Sequence, residues 1–389
     1  MLQVHNKHHP HYFAHKVNRE VNEVFWHTAL YSLAQSFIFI FEPIYLFGLG
    51  FSLIDILIFY AAVYAWYMLF IGFGAKLASI VGFKHSILFS NIAFVIYWVA
   101  VFSIRQYEIL FYVAPIFFAI QKSLLWPAYD ADTALGTVKD KDQEGREVGV
   151  LASAAQMAFV AGPIIGGFVS NIFGFAVLFT LASVVMLVSA YPLFRSREIY
   201  PKREFSFRIL LEVFRKYKQN FFGYWGYAED MMMMTLWPVF MFIVIADVAS
   251  VGIVSTTASL ISIMIMLYVG KLTDRIDKRR IVRVSALITG ALWMARVWGR
   301  DLIGVLAFDT VTKGARSVLG VPMIAISYEN EGGKGPAYAL AYGVFLEFSL
   351  SVGKVITALG GIVILTLTGN IFLVFAFAGL LTLLYTLIK

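Results

Sequence analysis

The sequence contains no cysteine. No disulfide framework and no thiolate metal site can therefore form. Charge is scarce as well: Asp, Glu, Lys and Arg make up 14% of the 389 residues, against roughly 25% in an ordinary soluble domain. A phosphate loop of the Gly-x4-Gly-Lys-Ser/Thr type is missing, which argues against ATP-driven pumping. His-Glu-x-x-His and Gly-x-Ser-x-Gly are missing too, so a membrane hydrolase lacks its usual marks. The chain is therefore read as a non-enzyme with no cofactor and no metal centre. The N-terminal "HNKHHPHYFAHK" carries His5, His8, His9, His11 and His15. Clustered imidazoles can hold a metal, but a disordered polar tail is the reading adopted here.

Apolar residues supply what charge does not. They make up 60% of the chain, and the mean hydropathy is +0.78. Stretches of about 20 apolar residues recur along the whole length, each able to cross a bilayer as a helix. The expected fold is an all-α polytopic membrane protein with twelve transmembrane helices. Spans are expected to begin near Val24, Ser52, Lys84, Glu108, Val148 and Phe175, then near Asn220, Val251, Arg280, Leu302, Ala337 and Asn370. The loops alternate between basic and nearly uncharged. Lys and Arg collect on the cytoplasmic side, which puts both termini in the cytoplasm, in what is expected to be a bacterial inner membrane. The net charge of +7 is then a topology signal, and no nucleic-acid partner is expected. No cleavable signal peptide is expected, because the first apolar segment is long enough to remain as a span.

The longest basic loop divides the chain into three parts. Residues 1–195 form an N-terminal six-helix bundle with a polar tail over 1–22; residues 196–219 are a linker; residues 220–389 form a second bundle. Within the linker, Phe207, Leu210, Leu211 and Phe214 follow helical spacing among Arg208, Arg215 and Lys216. That pattern predicts an amphipathic helix on the inner leaflet. A shift of 195 residues places Pro127 on Pro322, Gly166 on Gly361 and "AKLASIVGFK" on "GKLTDRIDKR". Six spans per half keep both copies in one orientation, a parallel repeat about an axis along the membrane normal.

The segment "GKLTDRIDKRR" (270–280) resembles the charged loop of the major facilitator superfamily, Gly-x-Leu-x-Asp-Arg-x-Gly-Arg-Arg. Gly270, Asp274, Arg275, Arg279 and Arg280 match, and Asp277 replaces the usual glycine. The first-half copy is degenerate, with Ser79 and Ile80 in place of the acid and base. "AGPIIGG" (161–167), with Gly162, Pro163, Gly166 and Gly167, is similar to a motif of the family's antiporters. Small residues at this spacing also simply permit close helix packing. The resemblance implies transport by alternating access and a cytoplasmic gate at the 270–280 loop. It also implies a central cavity lined by the first, fourth, seventh and tenth spans.

Charges inside apolar spans are costly and usually mark a functional site. Glu42 stands in the first span, Lys122 in the fourth, Glu229 and Asp230 in the seventh, Asp309, Lys313 and Arg316 in the tenth, and Glu347 and Lys354 in the eleventh. Arg296 lies near the outer end of the ninth. Desolvation raises a carboxylate's pKa and a nearby cation lowers it, a competition that can couple a proton to a solute. Glu42, Glu229, Asp230, Asp309 and Glu347 are the candidate proton carriers. Lys122, Lys313, Arg316 and Lys354 are candidates for an anionic group or for counter-ions. Asp309 with Lys313, and Glu347 with Lys354, can also be simple pairs that hold helices together. The first reading is a monomeric, proton-coupled efflux antiporter of a small molecule, embedded in lipid. One alternative is proton-coupled uptake of a small anionic or zwitterionic solute. Another is a non-transporting membrane sensor or assembly factor on the same scaffold.

Overall fold

The computed structural model describes residues 19–137, 144–195, 205–273, 277–331 and 336–389. The histidine-rich tail, Asp274, Arg275 and the side chains of Asp130, Asp132, Arg146 and Lys271 lie outside the described residues. Among those described, every element is helical and none is a strand. Eight segments are long and apolar enough to cross a membrane: Asn22–Gly48, Leu53–Val81, Phe83–Ser103, Leu110–Tyr129, Phe175–Arg195, Lys218–Ile245, Lys278–Trp298 and Ala337–Thr368. Three shorter apolar stretches, Met157–Phe173, Val248–Met264 and Ile371–Leu387, and the charged helix Leu302–Glu331 complete a series of twelve. Met157–Phe173 is the apolar part of the helix Glu144–Phe173, and with that helix start all twelve begin within about four residues of the expected positions.

The repeat of 195 residues carries through to the elements. Leu53–Val81 corresponds to Val248–Thr273, and Phe83–Ser103 to Lys278–Ala295. Helix contacts repeat as well. The fourth span packs on the second and third, as the tenth packs on the eighth and ninth. Between the halves, the fifth span packs on the eighth and the second on the eleventh. Exchanging the halves exchanges these two contacts, which is what a parallel pseudo-two-fold axis requires.

Two spans are broken at corresponding places, and for the same reason. The first stops at Ile38 and resumes at Phe41; the seventh stops at Met234 and resumes at Leu236. Pro43 and Pro238, which the repeat superposes, each lack the N–H that would bond the carbonyl four residues earlier. Glu42 therefore lies in the first turn of a fresh helical segment, whereas Glu229 and Asp230 lie ahead of the break, opening a segment after the 3-10 turn Tyr224–Ala228. The weakly charged loops are pinned by caps. Ser52 and Asp55 form a capping box, and the same two positions of the second half hold Asp247 and Ser250. Hydrogen bonds from Ser250 hold the Asp247 carboxyl below the usual range.

The glycines of "AGPIIGG" serve packing. A side chain on Gly162 would strike Ser36, and one on Gly166 would strike the Phe37 carbonyl, both in the first span. Gly167 faces Val248 and Ala249 of the eighth, while Gly252 of that helix receives the Pro163 carbonyl. Thr256 adds a hydrogen bond to the Val160 carbonyl at 3.0 Å. The motif thus seals the junction of the fifth span with the first and the eighth.

The linker forms the expected helix, Phe207–Lys216. Its two ends touch different halves. Phe207 lies over Gly72 and edge-on to Phe73 of the second span. Phe214 packs on Phe345 and Phe348 of the eleventh at ring separations of 4.9 and 5.7 Å. Phe207 and Leu211 remain 46% and 58% exposed among basic neighbours, which fits an interfacial face.

Gly252→Ala is expected to cost about 1–3 kcal/mol, because its methyl group would overlap the Pro163 carbonyl and push two packed helices apart. Gly320→Ala, where nothing lies within 4 Å, should be neutral. Thermal unfolding in detergent compares the two; equal melting temperatures would refute the packing role.

Candidate functional site

Glu42 is buried where the first span restarts. Tyr60 of the second span donates to its Oε1 at 2.5 Å, and Tyr97 of the third donates to the same oxygen. No cation lies within ion-pair distance of it among the described residues. The sequence offers Glu42 no local partner, and the structure supplies two hydroxyls from other helices.

Lys122 in the fourth span is also buried. Its ammonium sits over the faces of Phe118, Tyr64 and Tyr67, 4.9, 5.5 and 6.0 Å from the centroids. Cation–π attraction is the stabilisation this geometry provides; no carboxylate pairs with it among the described residues. The basket is tied to its surroundings on every side. Tyr67 donates to Glu347 at 3.1 Å. Tyr64 accepts from Lys354 at 3.0 Å and donates to the Met234 sulfur at 3.3 Å. Phe118 stacks on Tyr97, whose hydroxyl is on Glu42, at 4.6 Å. Tyr60, Tyr64 and Tyr67 share one face of the second span, so a single helix links carboxylates of both halves.

The C-terminal half solves the same problem with ion pairs. Arg316 reaches Glu229 at 3.2 Å and also pairs with Asp230. Lys354 pairs with Asp230 at 2.7 Å. The expected Glu347–Lys354 couple is therefore replaced by a bond across helices, and Glu347 keeps the Tyr67 hydroxyl as its side-chain partner among the described residues. Asp309 and Lys313 do pair within the tenth span, at 2.7 Å. Lys313 also donates to the Ser255 hydroxyl at 2.8 Å and to Ser259 at 3.3 Å. Lys313 and Arg316 keep side-chain exposures of 19% and 24%, although both lie mid-helix.

Arg296 was outside the candidate set. A cation at a helix end usually extends toward the interface, but this side chain turns inward and is 0% exposed. Its guanidinium lies between the indoles of Trp237 and Trp293, 3.7 and 3.5 Å from the ring centroids. Each indole spends its N–H on a different carboxylate. Trp237 donates to Asp309 at 2.9 Å, and Trp293 donates to Glu229 at 3.2 Å.

Other tyrosines of the first and seventh spans differ in whether they reach this cluster. Tyr45 donates to the Phe102 carbonyl, and Tyr224 bonds Ser327 and Tyr342. Tyr227 does belong, with Arg316 and Lys354 each 5.1 Å from its ring centroid. In the 270–280 loop, Arg279 and Arg280 are exposed at the start of the ninth span. Asp277, the departure from the family pattern, caps that helix by accepting from the Arg279 N–H at 3.2 Å. In the first-half copy Ser79 is buried and bonds its own helix at the Lys76 carbonyl.

No curated protein matches the chain in sequence. Among solved structures, the fold is similar to the E. coli fucose:proton symporter FucP, with a TM-score of 0.66 at 12% identity, covering 94% of this chain and 96% of that one. The profile of the Major Facilitator Superfamily matches residues 24–225, more than half of the chain. A helical integral membrane protein with this repeat, this fold and this sequence match belongs to the Major Facilitator Superfamily of secondary transporters.

Proposed function

We propose that the chain couples protons to the movement of an anionic or zwitterionic solute, with Glu42 as the proton carrier and Lys122 as the solute's cationic contact. One observation carries this reading: Glu42 is held by two hydroxyls and by no cation. A tyrosine hydroxyl both donates and accepts. Glu42 can therefore gain or lose a proton without stranding a buried ion. Asp230 and Asp309 cannot, since protonating either would leave Lys354 or Lys313 without its ion pair.

The sign of coupling follows from electrostatics. An ionised Glu42 repels an anion approaching Lys122, and protonation removes that repulsion. Proton and anion then favour each other's binding, and the effect is reciprocal. Cooperative binding supports symport. Export by antiport is the second reading, and its support is "AGPIIGG"; packing against the first and eighth spans already accounts for those glycines. For the gate we propose that Asp274 with Arg275 or Arg279 holds the cytoplasmic side in one conformation, since Ser79 forms no such ion pair.

Inside-out vesicles, a fluorescent proton probe and a panel of cationic, neutral and anionic compounds test the coupling. Glu42→Gln should abolish compound-driven proton movement while leaving the protein folded; full coupling in that variant would refute the assignment. Lys122→Met is expected to weaken anion binding on the order of tenfold or more, read as lost thermal stabilisation. Asp274→Asn should shift the inward–outward balance seen by labelling of introduced cysteines, against a background with no native thiol. An unchanged pattern would reduce that loop to a topology signal.

A further inference from the structure

The proposal rests on the anionic-solute reading above and extends it to the C-terminal half. There the ion pairs pose a problem. Lys313 and Arg316 are the cations with exposed side-chain surface, so they are the ones a solute can reach. Both are already engaged. An anion that took Arg316 would strand Glu229, and one that took Lys313 would strand Asp309. A buried carboxylate left without its cation is heavily penalised, so binding would be self-defeating unless another cation stood ready.

Arg296 has the attributes of that cation. It is fully buried, and it stays charged because a guanidinium does not give up its proton. Glu229, Asp230 and Asp309 are matched one for one by Lys313, Arg316 and Lys354. Arg296 is the buried cation of this half that takes part in no ion pair among the described residues. Two of its own donors, Nε and Nη1, form no hydrogen bond. Glu229 Oε1 and Asp309 Oδ2 are the oxygens now held by Arg316 at 3.2 Å and Lys313 at 2.7 Å. Both carboxylates are also tethered, through Trp293 and Trp237, to the indoles that cover the guanidinium. The unsatisfied donors and the carboxylates that a departing cation would release therefore flank the same two rings. Among the described residues the side chain of Arg296 donates one hydrogen bond, to the Met233 sulfur at 3.5 Å, a weak acceptor easily given up.

We propose that Arg296 is a reserve counter-ion. When an anionic group of the solute engages Arg316 or Lys313, the carboxylate released, Glu229 or Asp309, turns to Arg296 instead. Arg296 does not touch the solute; it is a positioning residue that lets a paired cation be borrowed.

Thermal stabilisation of the purified full-length protein tests this without a proton gradient, using succinate, phosphate and the anionic members of the compound panel as probes. Arg296→Met should weaken binding of the stabilising anion by about tenfold to a hundredfold, the consequence of an uncompensated buried charge. The decisive variants are Arg296→Met combined with Glu229→Gln or with Asp309→Asn. Removing the carboxylate that would be stranded removes the penalty, so at least one double variant should recover most of the lost affinity. Arg296→Gln keeps a donor and removes only the charge; it should behave like Arg296→Met and serves if the methionine variant fails to fold. Unchanged binding in the single variants would overturn the proposal. So would double variants that bind as weakly as the singles, because a merely structural role for Arg296 predicts no rescue. If no anion stabilises the wild-type protein, the reserve-ion proposal falls, while proton carriage by Glu42 is still decided by the cationic and neutral compounds.

Discussion

Charge buried in an apolar bundle must be met by an opposite charge, by hydroxyl dipoles or by a π face, because a bare ion there costs several kcal/mol. The arrangement of this protein's interior follows from how each half meets that demand. Around the centre of the bundle, the C-terminal half pairs most of its ions, through Arg316, Lys354 and Lys313, and leaves Arg296 to ring faces and Glu347 to a hydroxyl. The N-terminal half dresses its central ions singly, Glu42 with tyrosine hydroxyls and Lys122 with ring faces, and keeps a buried pair, Lys84–Glu23, elsewhere. Paired ions fix helices relative to one another and resist titration. Dressed ions are held in place but stay open to a proton or a ligand. Two chemistries therefore face each other across the second and eleventh spans, and the tyrosines of the second span stand between them.

The duplication behind the fold makes this division easy to trace. Tyr60 and Tyr64, which serve Glu42 and Lys354, occupy the positions of Ser255 and Ser259, which serve Lys313. Glu42 itself corresponds to Trp237, and Trp98 to Trp293. Backbone features survived divergence better than side chains did. Pro43 and Pro238 still break their helices at the same point, and the Ser52–Asp55 cap persists as Asp247–Ser250 with the two residue types exchanged. The two copies share their backbone breaks and caps and differ in the side chains that meet their buried charges.

Much of this was legible in the sequence because it is written in hydropathy and local spacing. Span positions, the repeat, the linker helix and the inward-facing charges all have such signatures, and Asp309–Lys313 is a pair by spacing alone. The partners of Glu42 were not legible, since Tyr60 and Tyr97 look like ordinary membrane aromatics until three helices converge. The pairing of Lys354 with Asp230 was hidden for the same reason: spacing on one helix suggested Glu347, and a closer acid came from another helix. Arg296 was passed over because a cation at a helix end has a cheap route to the interface. Only the two indoles reveal that it does not take it. The proline breaks were the missed signal. Pro43 directly follows Glu42, Pro238 marks the corresponding break of the seventh span, and their equivalence under the 195-residue shift could have been read directly.

The linker helix has a mechanical consequence. Its aromatic contacts fall on Gly72 and Phe73 of the second span at one end and on Phe345 and Phe348 of the eleventh at the other. Those two spans form one of the seams along which the halves meet. Any opening of that seam on the linker's side must unseat Phe207 or Phe214, so the distance the halves can travel is limited by a strap of fixed length. Gly72 leaves the space that Phe207 fills. A limit on how far the halves separate is thus built into a segment that carries none of the buried charges.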